Sequence, residues 1–406
     1  MNLLQQPLIL PNGSKLQNRL AKSAMSENFA LPNHAPNRRF FQLYDRWVKG
    51  GAGLLISGNI MIDSRALGEP RNVVVEDESH IEEIKKWTSC IQGTQTHLWA
   101  QINHPGRQAF QSINRETVAP SAVAVKIKGT KSLFSTPRAL SGEEVWDLVE
   151  RFGRTAFLLK KGGFTGVQIH AAHGYLISQF LSPLTNLRKD EWGGDIYGRA
   201  KFLLEVFRCI RQKVGPQFPI GVKINSADFQ RGGFSQEDSM EVLKILSKEG
   251  IDLIEISGGS YERPAMVGSH QKESTRQREA YFMEYVEKAR HLIDKPLMLT
   301  GGFRSLKGME EAIEQNKLDL IGLARPFAVY PNIAHELLEE SIVKIHLPNP
   351  KTGIAFLDKM RVLDLIWYEK QMGRLADGKE PNLNQGLWGI LAGYAKMALE
   401  KSLRKN

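Results

Sequence analysis

His170, His173 and Tyr175 lie close together in the sequence, directly after the apolar run at residues 166–169. That run predicts a short buried strand. Imidazole rings can donate hydrogen bonds to an oxygen atom that gains negative charge, and a phenol with an ordinary pKa of about 10 stays protonated at neutral pH. These side chains therefore predict a site that polarises a substrate oxygen and delivers a proton.

Two other interpretations of the histidine pair remain open at this point. The rings could be buried groups with satisfied hydrogen bonds, or they could bind a metal ion in a barrel hydrolase. Such a hydrolase needs further histidine or carboxylate ligands at neighbouring strand ends, which the sequence does not offer. Cys90 and Cys209 are isolated, so they form neither a disulfide framework nor a metal ligand set. We expect no metal and a reducing, cytoplasmic location.

A second group of residues suits a phosphate. Small residues and one arginine end two successive apolar runs: Gly301, Gly302, Gly322, Ala324 and Arg325. Glycines let backbone N–H groups approach an anion, and an arginine at a helix start adds charged donors. Plain turns are the competing interpretation, and the arginine at the second strand end favours the phosphate.

Two polar side chains interrupt other apolar runs. Alternation places Lys223 on the interior face of the run at 220–224, where a lysine costs several kcal/mol unless an anion accompanies it. Its partner could be Glu255 on a neighbouring strand or the negative charge of a reduced flavin. Gln101 follows another run, and its amide could pair with the edge of a heterocycle or with solvent.

The elements that must position these residues repeat along the chain. Short apolar runs predict strands at 20–24, 53–57, 98–102, 166–169, 220–224, 253–257, 297–300 and 320–323. Helical periodicity predicts helices near 36–50, 79–92, 142–161, 195–214, 235–249, 276–293 and 305–316, with one more after Pro326. Serine caps with following acids mark the helix starts at Ser141 and Ser235.

Eight strand–helix units predict an α/β protein of the (β/α)8 TIM-barrel class. No GxGxxG follows the first strand, which argues against a dinucleotide-binding sheet. We expect the barrel to occupy residues 1–340. Residues 341–406 are expected to form a C-terminal helical extension, with helices near 356–370 and 385–403, on the barrel or at a subunit interface.

Two segments are predicted to shape a substrate pocket. Residues 103–141 are too many for an ordinary loop, so they form an insertion or a lid. The second segment, 258–275, offers Tyr261, Arg263 and His270 as lining residues.

Composition limits the classes of partner. The chain has 406 residues, a net charge of +10 and 42% hydrophobic residues. Its basic residues are scattered rather than clustered, so we expect no nucleic-acid binding and assign the charge to anionic ligands. No signal peptide or membrane span is predicted. A homo-oligomer is compatible with the sequence.

Several separated motifs, taken together, resemble the Old Yellow Enzyme family of FMN-dependent NADH:flavin oxidoreductases over roughly residues 5–340. The matching stretches are 18–25, 101–107, 170–176, 188–194 with Arg199, and 322–325. The resemblance implies one non-covalent FMN, NAD(P)H as electron donor and a small-molecule substrate. The loop with Arg188 and Arg199 is interpreted as structural.

The resemblance also assigns roles to residues. The flavin ring would contact Ser23, Ala24, Met25, Ser26, Gly58, Gln101, His170 and Lys223, and the phosphate would contact Gly301, Gly302, Gly322, Ala324 and Arg325. The substrate would contact His170, His173, Tyr175, Asn28 and Tyr261, with Tyr175 as proton donor. Three positions depart from the usual family pattern: Lys223 replaces an arginine, Ser26 a cysteine or threonine, and Asn28 an aromatic residue of some relatives.

The function implied is an ene reductase, in which hydride passes from NAD(P)H through flavin N5 to an activated alkene. A metal-dependent hydrolase using His170 and His173 would leave the predicted phosphate site unexplained. A flavin-binding redox sensor without turnover would not need the complete His/His/Tyr set.

Overall fold

The barrel is built from eight parallel strands. The computed structural model describes residues 2–127, 133–263, 282–354 and 362–389. The first strand pairs with both the second and the eighth, so the sheet closes on itself. The strands are β1 (Leu20–Lys22), β2 (Leu54–Met61), β3 (His97–Asn103), β4 (Gly166–Ala171), β5 (Ile220–Asn225), β6 (Leu253–Ser257), β7 (Leu297–Thr300) and β8 (Leu320–Leu323). Every predicted strand is present, and the predicted fold class is confirmed.

Helices surround the barrel. They are α1 (Arg38–Lys49), α2 (Ile81–Thr88), α3 (Gly142–Lys161), α4 (Leu176–Leu181), α5 (Ile196–Val214), α6 (Gln236–Glu249), α7 (Met283–Arg290), α8 (Leu306–Glu314), α9 (Arg325–Val329), α10 (Ile333–Leu338) and α11 (Val362–Ala376). The predicted serine caps are confirmed, because Ser141 and Ser235 each form a complete capping box. The amino-terminal part of the helix predicted at 276–293 falls on residues 276–281, outside the described residues.

The barrel interior changes from apolar to polar along its axis. At the amino-terminal end, Trp99, Leu253 and Met298 pack with leucines of a short antiparallel pair, Leu8–Ile9 and Lys15–Leu16. Toward the carboxyl end, the interior positions become polar. Strand register places His170, Lys223 and Glu255 side by side on β4, β5 and β6. Successive side chains of a strand point to opposite faces, so neighbouring interior positions on adjacent strands lie at the same level of the barrel. These three side chains therefore form a polar layer.

The insertion and the C-terminal extension both pack on the barrel. The insertion carries a two-stranded parallel pair, Val118–Ala119 and Arg138–Ala139. Helix α11 covers the second part of the helix predicted at 356–370, and residues 356–361 lie outside the described residues. It lies against α1, where Arg39 donates to the Gly373 carbonyl at 3.2 Å. The helix predicted at 385–403 falls outside the described residues from 390 onward.

Among the described helices, none combines the length and apolarity that a membrane span requires.

Candidate active site

The two histidines and the tyrosine meet at the carboxyl end of β4. The ring centroids of His170 and His173 are 5.1 Å apart, and those of His170 and Tyr175 are 4.8 Å apart. This proximity requires a sharp turn after the strand. His173 has a φ of 61° and Gly174 a φ of 77°, both in the left-handed region. The sequence-predicted trio is therefore brought together at the barrel end where ligands bind.

Hydrogen bonds orient both imidazole rings. The Ala172 N–H donates to Nδ1 of His170 at 3.3 Å, which leaves the ring proton on Nε2. Nε2 of His173 lies 2.7 Å from the Ser257 hydroxyl. Burial lowers the pKa of both rings well below the usual value, and the Lys223 charge lowers each further. Both histidines are therefore neutral hydrogen-bond donors at neutral pH.

A second phenol contacts Tyr175. The Tyr175 and Tyr261 hydroxyls are 2.8 Å apart. Burial raises the pKa of Tyr175 well above its ordinary value, and burial raises the pKa of Tyr261 to about 12. Both phenols are therefore protonated at neutral pH. Sequence analysis placed Tyr261 in the pocket, and the structure places it against Tyr175.

The insertion holds these groups in position. Gln108 Nε2 donates to the His173 carbonyl at 2.9 Å, and its Oε1 accepts from the Tyr261 backbone at 3.3 Å. Arg107 forms a buried ion pair of 2.5 Å with Glu262. The insertion thus links the loops after β4 and β6.

The phosphate candidates lie at and just after the ends of β7 and β8, and they include one cation, Arg325. Gly301 and Gly302 have φ values of 117° and 100°, a backbone conformation that favours glycine. A Cβ atom on Gly322 would lie 2.1 Å from Thr300 Oγ1. Arg325 stacks 5.9 Å from the centre of the Tyr368 ring, and no residue in the described segments forms an ion pair with it. These groups suit an anion.

Lys223 has a protein partner. Its ammonium lies 2.8 Å from Glu255 Oε1, and both side chains are buried. The ion pair left open in the sequence is therefore present, and it occurs in the polar layer that also contains His170. Gln168 Nε2 and Thr300 Oγ1 also donate to this carboxylate, each at 2.7 Å.

Gln101 and Ser23 join the same network. Gln101 Nε2 donates to Gln168 Oε1 at 2.7 Å, and the Ser23 hydroxyl lies 2.7 Å from Thr300 Oγ1. Gln101 is thus a buried group at a strand end rather than a solvated terminus.

The segment after β1 forms another side of the site. Gly58 N–H donates to Glu27 Oε1 at 3.0 Å, and a Cβ on Gly58 would lie 2.3 Å from the Met25 carbonyl. Ser26 donates to Glu69, and Asn28 Nδ2 donates to Glu369 of α11 at 3.3 Å. Ala24 and Met25 are half-buried between these contacts.

Sequence analysis missed several of these residues. Gln168 and Thr300 lie two residues from His170 and Met298 on the interior faces of β4 and β7, so strand alternation could have identified them. Glu69, Gln108 and Glu369 come from loops and from α11, and no local pattern marks them.

Two predicted pocket residues do not join the group. Arg263 is exposed, and His270 lies outside the described residues. Arg188 and Arg199 bond to protein groups, including Asp190 and Asp238, which agrees with their predicted structural role.

These residues suit a flavin mononucleotide. The glycine backbones and Arg325 match a terminal phosphate. Gln101 and Lys223 supply polar groups for the heterocyclic edge of a flavin ring. A TIM barrel with this donor set and a His/His/Tyr end defines a flavin-dependent oxidoreductase.

Comparison with known proteins gives the family. Residues 4–342 match the model of the NADH:flavin oxidoreductase / NADH oxidase family, and the chain belongs to that family. The NADH-dependent flavin oxidoreductase iliE of Hypocrea jecorina is 34% identical over 390 residues, covering 90% of this chain and 94% of the relative. The NADPH dehydrogenase of Clostridium acetobutylicum is 28% identical, covering 74% of this chain and 84% of that protein. FMN is the cofactor and NAD(P)H the electron donor.

Solved structures have the same fold. A 2-naphthoyl-CoA reductase matches with a TM-score of 0.77 at 26% identity, covering 83% of this chain and only 52% of its own. Morphinone reductase matches with a TM-score of 0.71 at 23% identity, covering 84% of this chain and 90% of its own. The second likeness concerns the fold alone.

Proposed function

We propose that this protein reduces a carbon–carbon double bond conjugated to a carbonyl group, using NAD(P)H and FMN. The arrangement of His170, His173 and Tyr175 carries the proposal, because it combines neutral hydrogen-bond donors with a protonated phenol in one site. The 2-naphthoyl-CoA reductase among the structural neighbours, at 26% identity, supports a reductase.

The flavin contacts follow from the same site. Ser23, Ala24, Met25, Ser26, Gly58, Gln101, His170 and Lys223 hold the ring, and Gly301, Gly302, Gly322, Ala324 and Arg325 hold the phosphate. When bound by these residues, FMN would supply the transfer of hydride from the nicotinamide to the β-carbon of the alkene. The binding is non-covalent, because a single phosphate and a hydrogen-bonded ring need no bond to the chain.

The histidines bind the substrate oxygen. Nε2–H of His170 points away from the bond that fixes Nδ1, so it is available to the carbonyl oxygen of the substrate. Negative charge develops on that oxygen as the β-carbon is reduced. Preorganised donors of this kind contribute about 3 kcal/mol each to transition-state stabilisation.

Tyr175 then supplies the proton. Its O–H bond breaks and a C–H bond forms at the α-carbon, so the products are the saturated carbonyl compound and a phenolate that is reprotonated from solvent. The Tyr261 hydroxyl, 2.8 Å away, stabilises the oxygen that loses the proton. Asn28 and Tyr261 line the substrate side of the pocket.

The test separates the two half-reactions in Tyr175→Phe. Flavin reduction by NAD(P)H needs no proton from a phenol, so its rate stays close to that of the wild type. Reoxidation by an enone loses a positioned general acid, which typically costs about 10²–10⁴-fold. Anaerobic stopped-flow at the flavin absorption band measures both rates.

The control is Tyr285→Phe, which removes a buried phenol bonded to Ser239 at 2.6 Å, on a different part of the barrel. It should leave both rates unchanged. Full enone activity in Tyr175→Phe, or equal slowing of both half-reactions, would contradict Tyr175 as the proton donor. Quinones take protons from solvent and should still reoxidise the variant.

A further inference from the structure

The Glu255 carboxylate has an unusual position in the barrel. It is fully buried, and three groups from three other strands contact its two oxygen atoms: Lys223, Gln168 and Thr300. None of the three belongs to the substrate trio. Gln168 connects Glu255 to Gln101, and Thr300 connects it to Ser23. Gln101 and Ser23 are proposed flavin contacts.

A carboxylate can only accept hydrogen bonds, so it fixes the direction of every bond around it. Thr300 has one hydroxyl proton and donates it to Glu255. Thr300 can then only accept from Ser23, 2.7 Å away. The Ser23 proton is used in that bond, which leaves Ser23 as an acceptor toward the ligand.

The hydrogen bonds of the Gln168 and Gln101 amides have fixed directions for the same reason. Gln168 Nε2 donates to Glu255, so its Oε1 is the acceptor for Gln101 Nε2. Both amides are thereby held in one orientation, although an amide can otherwise present either end. No donor in the described ranges reaches Oε1 of Gln101, which leaves that atom to accept from a ligand.

We propose that Glu255 is a positioning residue that sets the hydrogen-bond direction of the flavin site. Ser23 and Gln101 then present acceptors to FMN, and Lys223 presents its remaining N–H donors. The pyrimidine edge of a flavin carries one N–H between two carbonyl groups, which matches an acceptor beside a donor. The inference rests on the proposed flavin contacts of these residues.

The same carboxylate moderates the Lys223 charge. A cation near the flavin favours its reduction, and the adjacent anion opposes part of that effect. Replacing Lys223 by Met should therefore lower the midpoint potential of bound FMN, and Glu255→Gln should raise it. If the Lys223–Glu255 pair only stabilised the barrel, both substitutions would change the stability of the protein. Neither would then change the midpoint potential of bound FMN.

The experiment measures the FMN dissociation constant and midpoint potential of each reconstituted variant. In Glu255→Gln we expect a higher potential and FMN binding weakened by about 3- to 10-fold, the effect of one lost hydrogen bond. Thr300→Val is the second variant, because it removes the hydroxyl that links Glu255 to Ser23 without altering charge. It should weaken FMN binding by a few-fold and leave the potential unchanged.

A double-mutant cycle tests whether Glu255 acts through Gln101. Gln101→Leu should weaken FMN binding in the wild type and weaken it much less in the Glu255→Gln background. Asp252→Asn, which alters a buried acid at the opposite end of the barrel, is the matched control and should change neither constant.

The outcomes separate this inference from the proposed function. Additive effects of the two substitutions, or a potential that does not rise in Glu255→Gln, would overturn the role of Glu255 alone. Unchanged FMN binding in Gln101→Leu would instead contradict the proposed flavin contact on which the inference rests.

Discussion

The two ends of the barrel use buried carboxylates differently. At the amino-terminal end, Asp252 accepts from the backbone N–H of Ile220 at 2.8 Å and pairs with Arg211 at 2.6 Å. Asp319 repeats the arrangement two β/α units later, with the N–H of Leu297 and with Arg290. In β6, the strand that Asp252 precedes, Glu255 bonds among the described residues only to side chains of the polar layer.

This difference shows how one fold separates stability from chemistry. The amino-terminal aspartates each join a strand start to the preceding helix, so their partners are backbone and helix groups. Glu255 contacts residues that are directed toward the ligand end. We therefore expect Asp252 and Asp319 to affect the stability of the barrel and not the ligand site. We expect Glu255 to affect the ligand site.

The largest expected effect concerns the carboxyl end. Arg325→Ala should weaken FMN binding by about 2–3 kcal/mol, roughly 30- to 150-fold, because a charge-assisted contact to the phosphate is lost. Folding should be unaffected, since Arg325 has no ion pair within the described residues. Equilibrium flavin titration measures the change. Arg46→Ala, at a half-buried arginine of α1 that pairs with Glu380, is the control. Full flavin retention in Arg325→Ala would remove Arg325 from the phosphate site.

The next effect belongs to the amino-terminal end. Asp252→Asn should lower the free energy of unfolding by about 2 kcal/mol, because it breaks a partly buried pair with Arg211 and weakens an N–H acceptor. The flavin constants should not change. Urea unfolding of the apoprotein measures the loss. A shifted midpoint potential of FMN in Asp252→Asn would show that the two ends of the barrel are coupled. It would contradict the separation of stability from chemistry between them.

The smallest effect concerns pH and α11. Burial and the nearby Glu69 carboxylate raise the pKa of Glu369 to about 7, while Asn28 and Arg39 oppose the rise. A raised pKa contributes stability that is complete below the unfolded pKa and is lost as pH rises through about 7. Glu369→Gln should remove this slope and unfold less readily at pH 8, by on the order of 1 kcal/mol. Equal slopes in both proteins would contradict the prediction.

Much of the architecture could be predicted from sequence. Parallel strands buried on both faces are nearly continuous apolar runs, so all eight strands were identifiable. The capping boxes at Ser141 and Ser235 are local patterns, and both are present. The His170, His173 and Tyr175 trio was visible because one strand and its turn carry all three.

The rest depends on contacts between distant segments. The sequence offers Glu255 as one possible partner of Lys223 but does not establish the pair, because a lysine in a strand does not reveal its partner. Gln108 and Glu369 reach the site from the insertion and from α11, and the chain order alone does not show where those segments pack.

Anaerobic titration of the purified protein at the flavin absorption band tests the central claim most directly. NAD(P)H should bleach the bound FMN, and one equivalent of an enone per FMN should restore the colour while the saturated carbonyl compound forms in equal amount. A flavin that enones and other conjugated alkenes leave bleached, but that quinone or oxygen recolours, would contradict alkene reduction as the function of this site.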